Sequence, residues 1–298
     1  MRKKLTAVLL AATMLLTSGV TVFADRVDAV IDKPYLALGA DLSPQEQMTV
    51  LSLLGLSDIN VDDYDIISIT NADEHEYLDK YLDASIIGTR ALSSVLVVGK
   101  EAGNGINVTT KNISYCTEGM YRNALLTAGI EDADITVAGP FSISGTAALV
   151  GAIKAYETMT GEEIDDENLD AANDELVLTG KLVEDIGDSE KAEDLMALVK
   201  QEVAENKLTS AEDIQNVVDQ ACDQLDIQLS EENQKQIAEL MKKIEGLDLD
   251  VDKLKDQAKD LYQKLEDLDF HVDKESVGNF FTRIIDAIVN FFQGLFGK

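Results

Sequence analysis

The stretch Ser93–Thr110, SSVLVVGKEAGNGINVTT, decides between a helical and a mixed fold. Two runs rich in valine, isoleucine and threonine flank a five-residue turn containing Gly103, Asn104 and Gly105. β-Branched side chains pack well on a pleated surface, and glycine with asparagine supplies the backbone freedom a tight reversal needs, so the stretch reads as a β-hairpin. Working outward, DIISIT (Asp65–Thr70) alternates as a strand does and leads into a helix from about 73 to 82. A helix at 117–128, a strand at DITVAG (Asp134–Gly139) and a helix at 145–158 follow. Near the start of this region Ser43 reads as a helix N-cap, with Pro44 as the first helical residue and Glu46 closing a capping box. Four strands interleaved with helices predict a small α+β domain over residues 25–160.

The composition shifts near residue 160. After the acidic linker GEEIDDENLD come candidate helices at 171–186, 189–205, 211–224 and 231–245, so residues 161–275 read as an acidic all-α domain. Leu247, Val251, Leu254, Ala258, Leu261, Leu265 and Leu268 then follow one another at intervals of four and three, a heptad seam three repeats long. Such a narrow stripe packs on one partner helix, either inside its own bundle or in a second copy of the chain as a homo-oligomer seam.

Both chain ends are distinctive. Arg2, Lys3 and Lys4 precede an apolar run from Leu5 to Leu16, and small residues at Val22 and Ala24 precede Asp25. Residues 1–24 therefore predict a Sec signal peptide, too short in its apolar core to span a membrane, and an extracellular or envelope-associated protein. Without them 22 basic residues face 56 acidic ones, a net charge of −34 over 274 residues. That field repels nucleic acid and offers no basic stripe for phosphates. Residues 276–298 differ, with two bases and one acid. Placed on a helix, Phe280, Phe281, Ile284, Ile285, Ile288, Phe291, Phe292, Leu295 and Phe296, with Val289, fill one half of its circumference. This face is expected to dock on the chain's own bundle, on a membrane surface or on an envelope protein.

The sequence supplies little catalytic chemistry. No HExxH, GxSxG, Walker loop or SxxK pattern occurs. His75 and Asp79 share a helix face without a visible third ligand, and His271 between Asp269 and Asp273 is equally bare, so no metal site and no cofactor are expected. Ser144, Gly145 and Thr146 open a strongly apolar helix whose first amides can either be capped locally or hold a small anion. Asp248, Asp250 and Asp252 imitate the opening of a calcium loop, but Lys253 and Lys259 stand where glycine and a bidentate glutamate belong. The aspartates then serve the N-terminal dipole of a helix, leaving weak, diffuse calcium binding as an alternative. Cys116 and Cys222 either bridge the two domains or stay separately buried.

Several segments together resemble a known family: GADLSPQEQMTVLSLLG (Gly39–Gly55), ITNADE (Ile69–Glu74), GMYRNALLTAGI (Gly119–Ile130), GPFSISGTAAL (Gly139–Leu149) and LMKKIEGLDLDVDKLKDQ (Leu240–Gln257). They are similar to the YpuA-like family of exported Gram-positive bacterial proteins, a domain of unknown function, over about residues 38–268. The resemblance implies a shared fold and an envelope or secreted location, and it brings no activity with it. The residues predict a non-catalytic envelope protein that binds or scaffolds. The alternatives are an envelope hydrolase or transferase built on carboxylates and hydroxyls near Thr70–Glu74 or Ser142–Thr146, and an acidic calcium-binding protein.

Overall fold

The computed structural model describes residues 33–257, except 58, 59, 162 and 248. The signal segment 1–24, the amphipathic face at 280–296, His271 and the heptad positions from Ala258 onward lie outside the described residues.

The N-terminal half is a five-stranded mixed sheet with helices on both faces. Its strands are β1 (Tyr35–Gly39), β2 (Asp65–Ile69), β3 (Ser94–Gly99), β4 (Ile106–Ile113) and β5 (Ala133–Ile143), in the spatial order β2-β1-β3-β5-β4. β1 runs parallel to β2 and β5 to β4, while β3 is antiparallel to both β1 and β5. The Ser93–Thr110 hairpin is therefore corrected: its two strands exist, but β5 is inserted between them. Burial explains the order. β5 is apolar through Ile135, Val137 and Ala138 and pairs on both sides, whereas β4 exposes Asn107 and Thr109 and suits an edge. Residues 100–105 step across the start of β5, where Lys100 N–H donates to Asp132 O at 3.1 Å and Ala133 N–H to Gly105 O at 3.1 Å. The expected four strands also become five, because β1, lying directly before the Ser43 cap, carries no turn signal of its own.

Alternation assigns the sheet's two faces. Tyr35, Ala37, Val95, Val97, Ile135 and Val137 join the larger core, with α4 (Glu118–Thr127) and α5 (Thr146–Thr160). Leu36, Leu38, Leu96 and Ala138 point the other way, beneath α1 (Pro44–Leu53). The expected capping box is present, with Glu46 N–H donating to Ser43 Oγ at 3.4 Å and Ser43 N–H to Glu46 Oε2 at 2.7 Å. The predicted helix after DIISIT is α2 (Asn71–Leu78), with a second capping box between Thr70 and Asp73, and a short α3 (Ala84–Ile87) follows. α5 is buried on nearly every side because it lies between the sheet and α2, which accounts for its apolar sequence.

Four helices continue the chain: α6 (Asp166–Ile186), α7 (Ser189–Asn206), α8 (Ala211–Leu225) and α9 (Glu231–Glu245), close to the periods read from sequence. Leu182, Leu195, Val199, Ile214, Val218, Ile237 and Met241 build their shared core. α6 belongs to both cores, sending Ala172 and Leu176 toward the sheet side and Ala171, Leu178 and Leu182 into the bundle. The bundle thereby packs on the sheet layer mainly through α6 and α7 against α4.

Residues 251–257 form one further helical segment. Leu254 of the heptad seam is buried there. No helix among the described residues is long and apolar enough to cross a membrane. Of the two arrangements expected for Cys116 and Cys222, the structure has the separately buried one. Both thiols are free and buried, Cys116 in the sheet-side core and Cys222 in the bundle core, so each is enclosed by its own hydrophobic surroundings.

Candidate functional site

The two stretches singled out for carboxylate and hydroxyl chemistry meet in space. Gly145 precedes α5 with φ 100°, a left-handed conformation that suits glycine. Its surroundings reinforce the choice, since a Cβ there would stand 2.6 Å from the Tyr121 hydroxyl and 2.8 Å from Ile113 Cγ2. Tyr121 donates its hydroxyl to Gly145 O at 2.6 Å, and Cys116 N–H donates to Ser144 O at 2.9 Å, so the turn is fixed from below. Ser93 Oγ accepts from Ala148 N–H at 2.9 Å and satisfies an amide in the first turn of α5.

Against this helix start stands Glu74 of α2, only 1% exposed. Thr146 Oγ1 donates to Glu74 Oε1 at 2.7 Å, and Asn71 Nδ2 donates to Oε2 at 3.1 Å. Ser144 Oγ lies 3.2 Å from Thr146 Oγ1. At the residues read as a possible anion site, the carboxylate in place is thus the chain's own. Burial pushes the Glu74 carboxyl up from its ordinary value, and the Thr146 and Asn71 hydrogen bonds act in the opposite direction. Burial also pushes the Cys116 thiol up to about 12 and Tyr121 well above its usual value, so neither is a ready nucleophile or base. The group can hold a proton in a desolvated pocket and brace α2 against α5. It does not set an activated nucleophile beside a base.

Asp73, next to Glu74, pairs with Lys154 of α5 at 2.5 Å, and the Lys154 ammonium lies 5.3 Å from the centre of the Tyr77 ring. Despite the desolvation that opposes it, the Lys154 and Thr70 hydrogen bonds hold Asp73 down to about 2. His75 and Asp79 are 2.5 Å apart on the exposed side of α2, and that hydrogen bond raises the imidazole's pKa. Among the described residues no group of three or more His, Cys, Asp or Glu is placed to hold a metal ion. Asp250 caps the 251–257 helix, with Oδ1 accepting from Asp252 N–H at 2.9 Å and Lys253 N–H at 3.2 Å. Asp250 thus serves the start of a helix, while Asp248 of the same acidic run lies outside the described residues.

Two further polar centres were not foreseen. Between α4, α6 and α7, Lys200 and Glu175 form an ion pair at 2.9 Å with both side chains fully buried. Lys200 Nζ also donates to Asn123 O at 2.9 Å and Thr127 Oγ1 at 3.1 Å. Nearer the sheet edge, Asp132 Oδ1 accepts from Gly103 N–H at 3.0 Å and Gly105 N–H at 2.7 Å, and Lys253 Nζ reaches both Asp132 oxygens at 2.7 and 2.6 Å. The sequence held one faint signal for the first centre, a charged residue on the inward stripe of α6 and another on that of α7.

Residues 38–261 match the family model described as "Protein of unknown function (DUF1002)". A curated protein of Bacillus subtilis (strain 168), described as "Uncharacterized protein YpuA", is 39% identical over 296 residues, covering 98% of this chain and 100% of its own length. No solved structure matches the chain.

Proposed function

Starting from the fact that the chain belongs to the DUF1002 family, we propose that it is an exported, non-catalytic protein of the cell envelope whose folded body presents a C-terminal docking helix. One observation carries the reading: residues 276–298 hold five of the chain's eight phenylalanines, at spacings that a helix would gather on one half of its circumference. Fully burying a large apolar side chain yields roughly 1.5–3 kcal/mol, so about ten on one face are a strong driving force toward a membrane interface or a partner's groove. The acidic body does not forbid an anionic surface, because charges more than roughly 8 Å away are largely screened at physiological salt. Support for a binding role over catalysis comes from Glu74, Glu175 and Asp132, whose carboxylates are each engaged by groups of the same chain.

The test compares the chain starting at Asp25 with the same chain ending at Glu275. Sedimentation with anionic lipid vesicles and thermal unfolding are measured for both. The expected result is loss of vesicle binding with little change in melting temperature. A steep fall in melting temperature, with no vesicle binding to lose in the longer chain, would make the phenylalanines a part of the core and overturn the reading.

A further inference from the structure

The helix at 251–257 is attached to the body by a small set of contacts that fall on otherwise separate structures. Lys253 reaches Asp132, with side chains only 14% and 13% exposed. Lys255 pairs with Glu205 of α7 at 2.9 Å, and Gln257 donates to Asn123 Oδ1 of α4. Leu254 supplies the buried apolar anchor. Each polar partner does something else as well. Asp132 holds the amides of Gly103 and Gly105, which fix the crossing from β3 to β4. Asn123 gives its carbonyl to Lys200 and its side-chain amide to Glu193 O. Glu205 accepts from Gln201 at 3.0 Å.

From this arrangement we propose that residues 251–257 are a releasable strap whose seating controls the order of the loop at 100–105. Leu254 is a single buried side chain, so seating depends on charge pairs and hydrogen bonds that salt and competing ligands weaken. When the strap lifts, Asp132 loses its cation and the cover that Lys253 gives its carboxylate. It then gains by turning toward water, which withdraws the acceptor from Gly103 and Gly105. The strap leads directly into residue 258 and the C-terminal segment, so a pull on that segment is transmitted to a loop at the sheet edge. The device does not require any particular partner for residues 276–298 and stands apart from the docking proposal.

Hydrogen exchange of the chain starting at Asp25 tests it, read on peptides spanning 99–106 with 211–225 of α8 as the internal reference. Lys253→Met is expected to speed exchange at 99–106 on the order of tenfold while 211–225 is unchanged. The decisive variant is Lys255→Met, whose partner Glu205 does not touch the loop. It is expected to speed exchange at 99–106 roughly two- to fivefold, the effect of losing a partly buried pair that helps seat the strap. Lys235→Met, which removes only the exposed Lys235–Glu239 pair of α9, leaves 99–106 as it was. Acceleration with Lys253→Met alone would reduce the effect to a local ion pair and overturn the strap. Equal acceleration of 99–106 and 211–225 would show global loosening and overturn it too.

Discussion

Replacing Glu175 by glutamine removes half of the buried pair and leaves a fully enclosed ammonium. In the native arrangement Lys200 Nζ is 2.9 Å from Glu175 Oε1 and 3.1 Å from Oε2, and it keeps two neutral acceptors, Asn123 O and Thr127 Oγ1. Breaking a buried pair on one side costs about 3–5 kcal/mol, and the two surviving hydrogen bonds place this site near the lower end. At roughly 2–4 °C per kcal/mol for a chain of this size, Glu175→Gln should lower the melting temperature by about 6–12 °C. Replacing both partners, as Glu175→Leu with Lys200→Met, removes the two desolvation penalties together and should bring stability to within about 1 kcal/mol of the parent. Burial already pushes Lys200 below its ordinary value, with Glu175 opposing that shift. In the single variant the opposition is gone, so between the lowered folded value and 10.5 the unfolded chain binds more protons than the folded one, and stability rises with pH. Urea unfolding at pH 7 and pH 9.5 reads both effects. A loss under 1 kcal/mol at pH 7, a deficit that does not shrink at pH 9.5, or a double variant as weak as the single one would refute the reasoning.

Three shorter expectations accompany it. In Gly151→Ala the new Cβ would lie 2.8 Å from Ala37 Cβ and 3.1 Å from Val95 Cγ1. Overpacking of about 1–3 kcal/mol then outweighs the ~1 kcal/mol gain in helix propensity, and an unchanged or higher urea midpoint would contradict the close approach of α5 to the sheet. Glu202 is raised to about 7 by burial and by Glu205. Since a carboxyl raised in the folded state costs stability as pH climbs from its unfolded value through its folded one, Glu202→Gln should stabilise the chain at pH 8 by as much as ~3 kcal/mol and not at pH 4. Equal effects at the two pH values would count against it. Burial raises Cys116 to about 12 and Cys222 to about 11. Alkylation without reductant should therefore be slow in the native chain and complete at both thiols once it is denatured, whereas a denatured chain that takes up no label would reveal a bridge.

What the sequence disclosed is what short-range chemistry specifies. The Ser43 box, the breaks near 187 and 207 and the helices of the bundle follow from caps and a 3.6-residue period, and all of these are decided within a few positions. Strand order is decided elsewhere. Nothing local in Gly99–Ile106 tells a tight hairpin from a loop crossing one strand; the answer lies in β5, some thirty residues on, whose apolar residues on both faces claim the inner position. The site divides the same way. Glu74 and Thr146 were each in view as separate stretches, but only the packing of α2 on α5 joins them. Lys253 looked like a defect in a calcium loop until Asp132, 121 positions away, gave it a partner.

The distribution of buried charge separates a working site from a brace. An active site keeps a desolvated acid or base facing a space where a reactant can stand, and its shifted pKa is useful because the proton has somewhere to go. Glu74 is desolvated in that manner, yet Thr146 and Asn71 occupy its oxygens, and the nearest thiol and phenol are held protonated by burial. Lys200 and Glu175 are fully enclosed and pair with one another between α4, α6 and α7. Asp132 is the exception in kind. It joins a surface loop to the helix that precedes residues 258–298 in the chain, and its cation comes from a segment with one buried leucine, seated otherwise by polar contacts. A polar group that links two peripheral elements through the edge of a sheet has mechanical consequences when either element is engaged. For that reason the loop at 100–105, and not the buried cluster at Glu74, is where engagement of the C-terminal segment should register in the body.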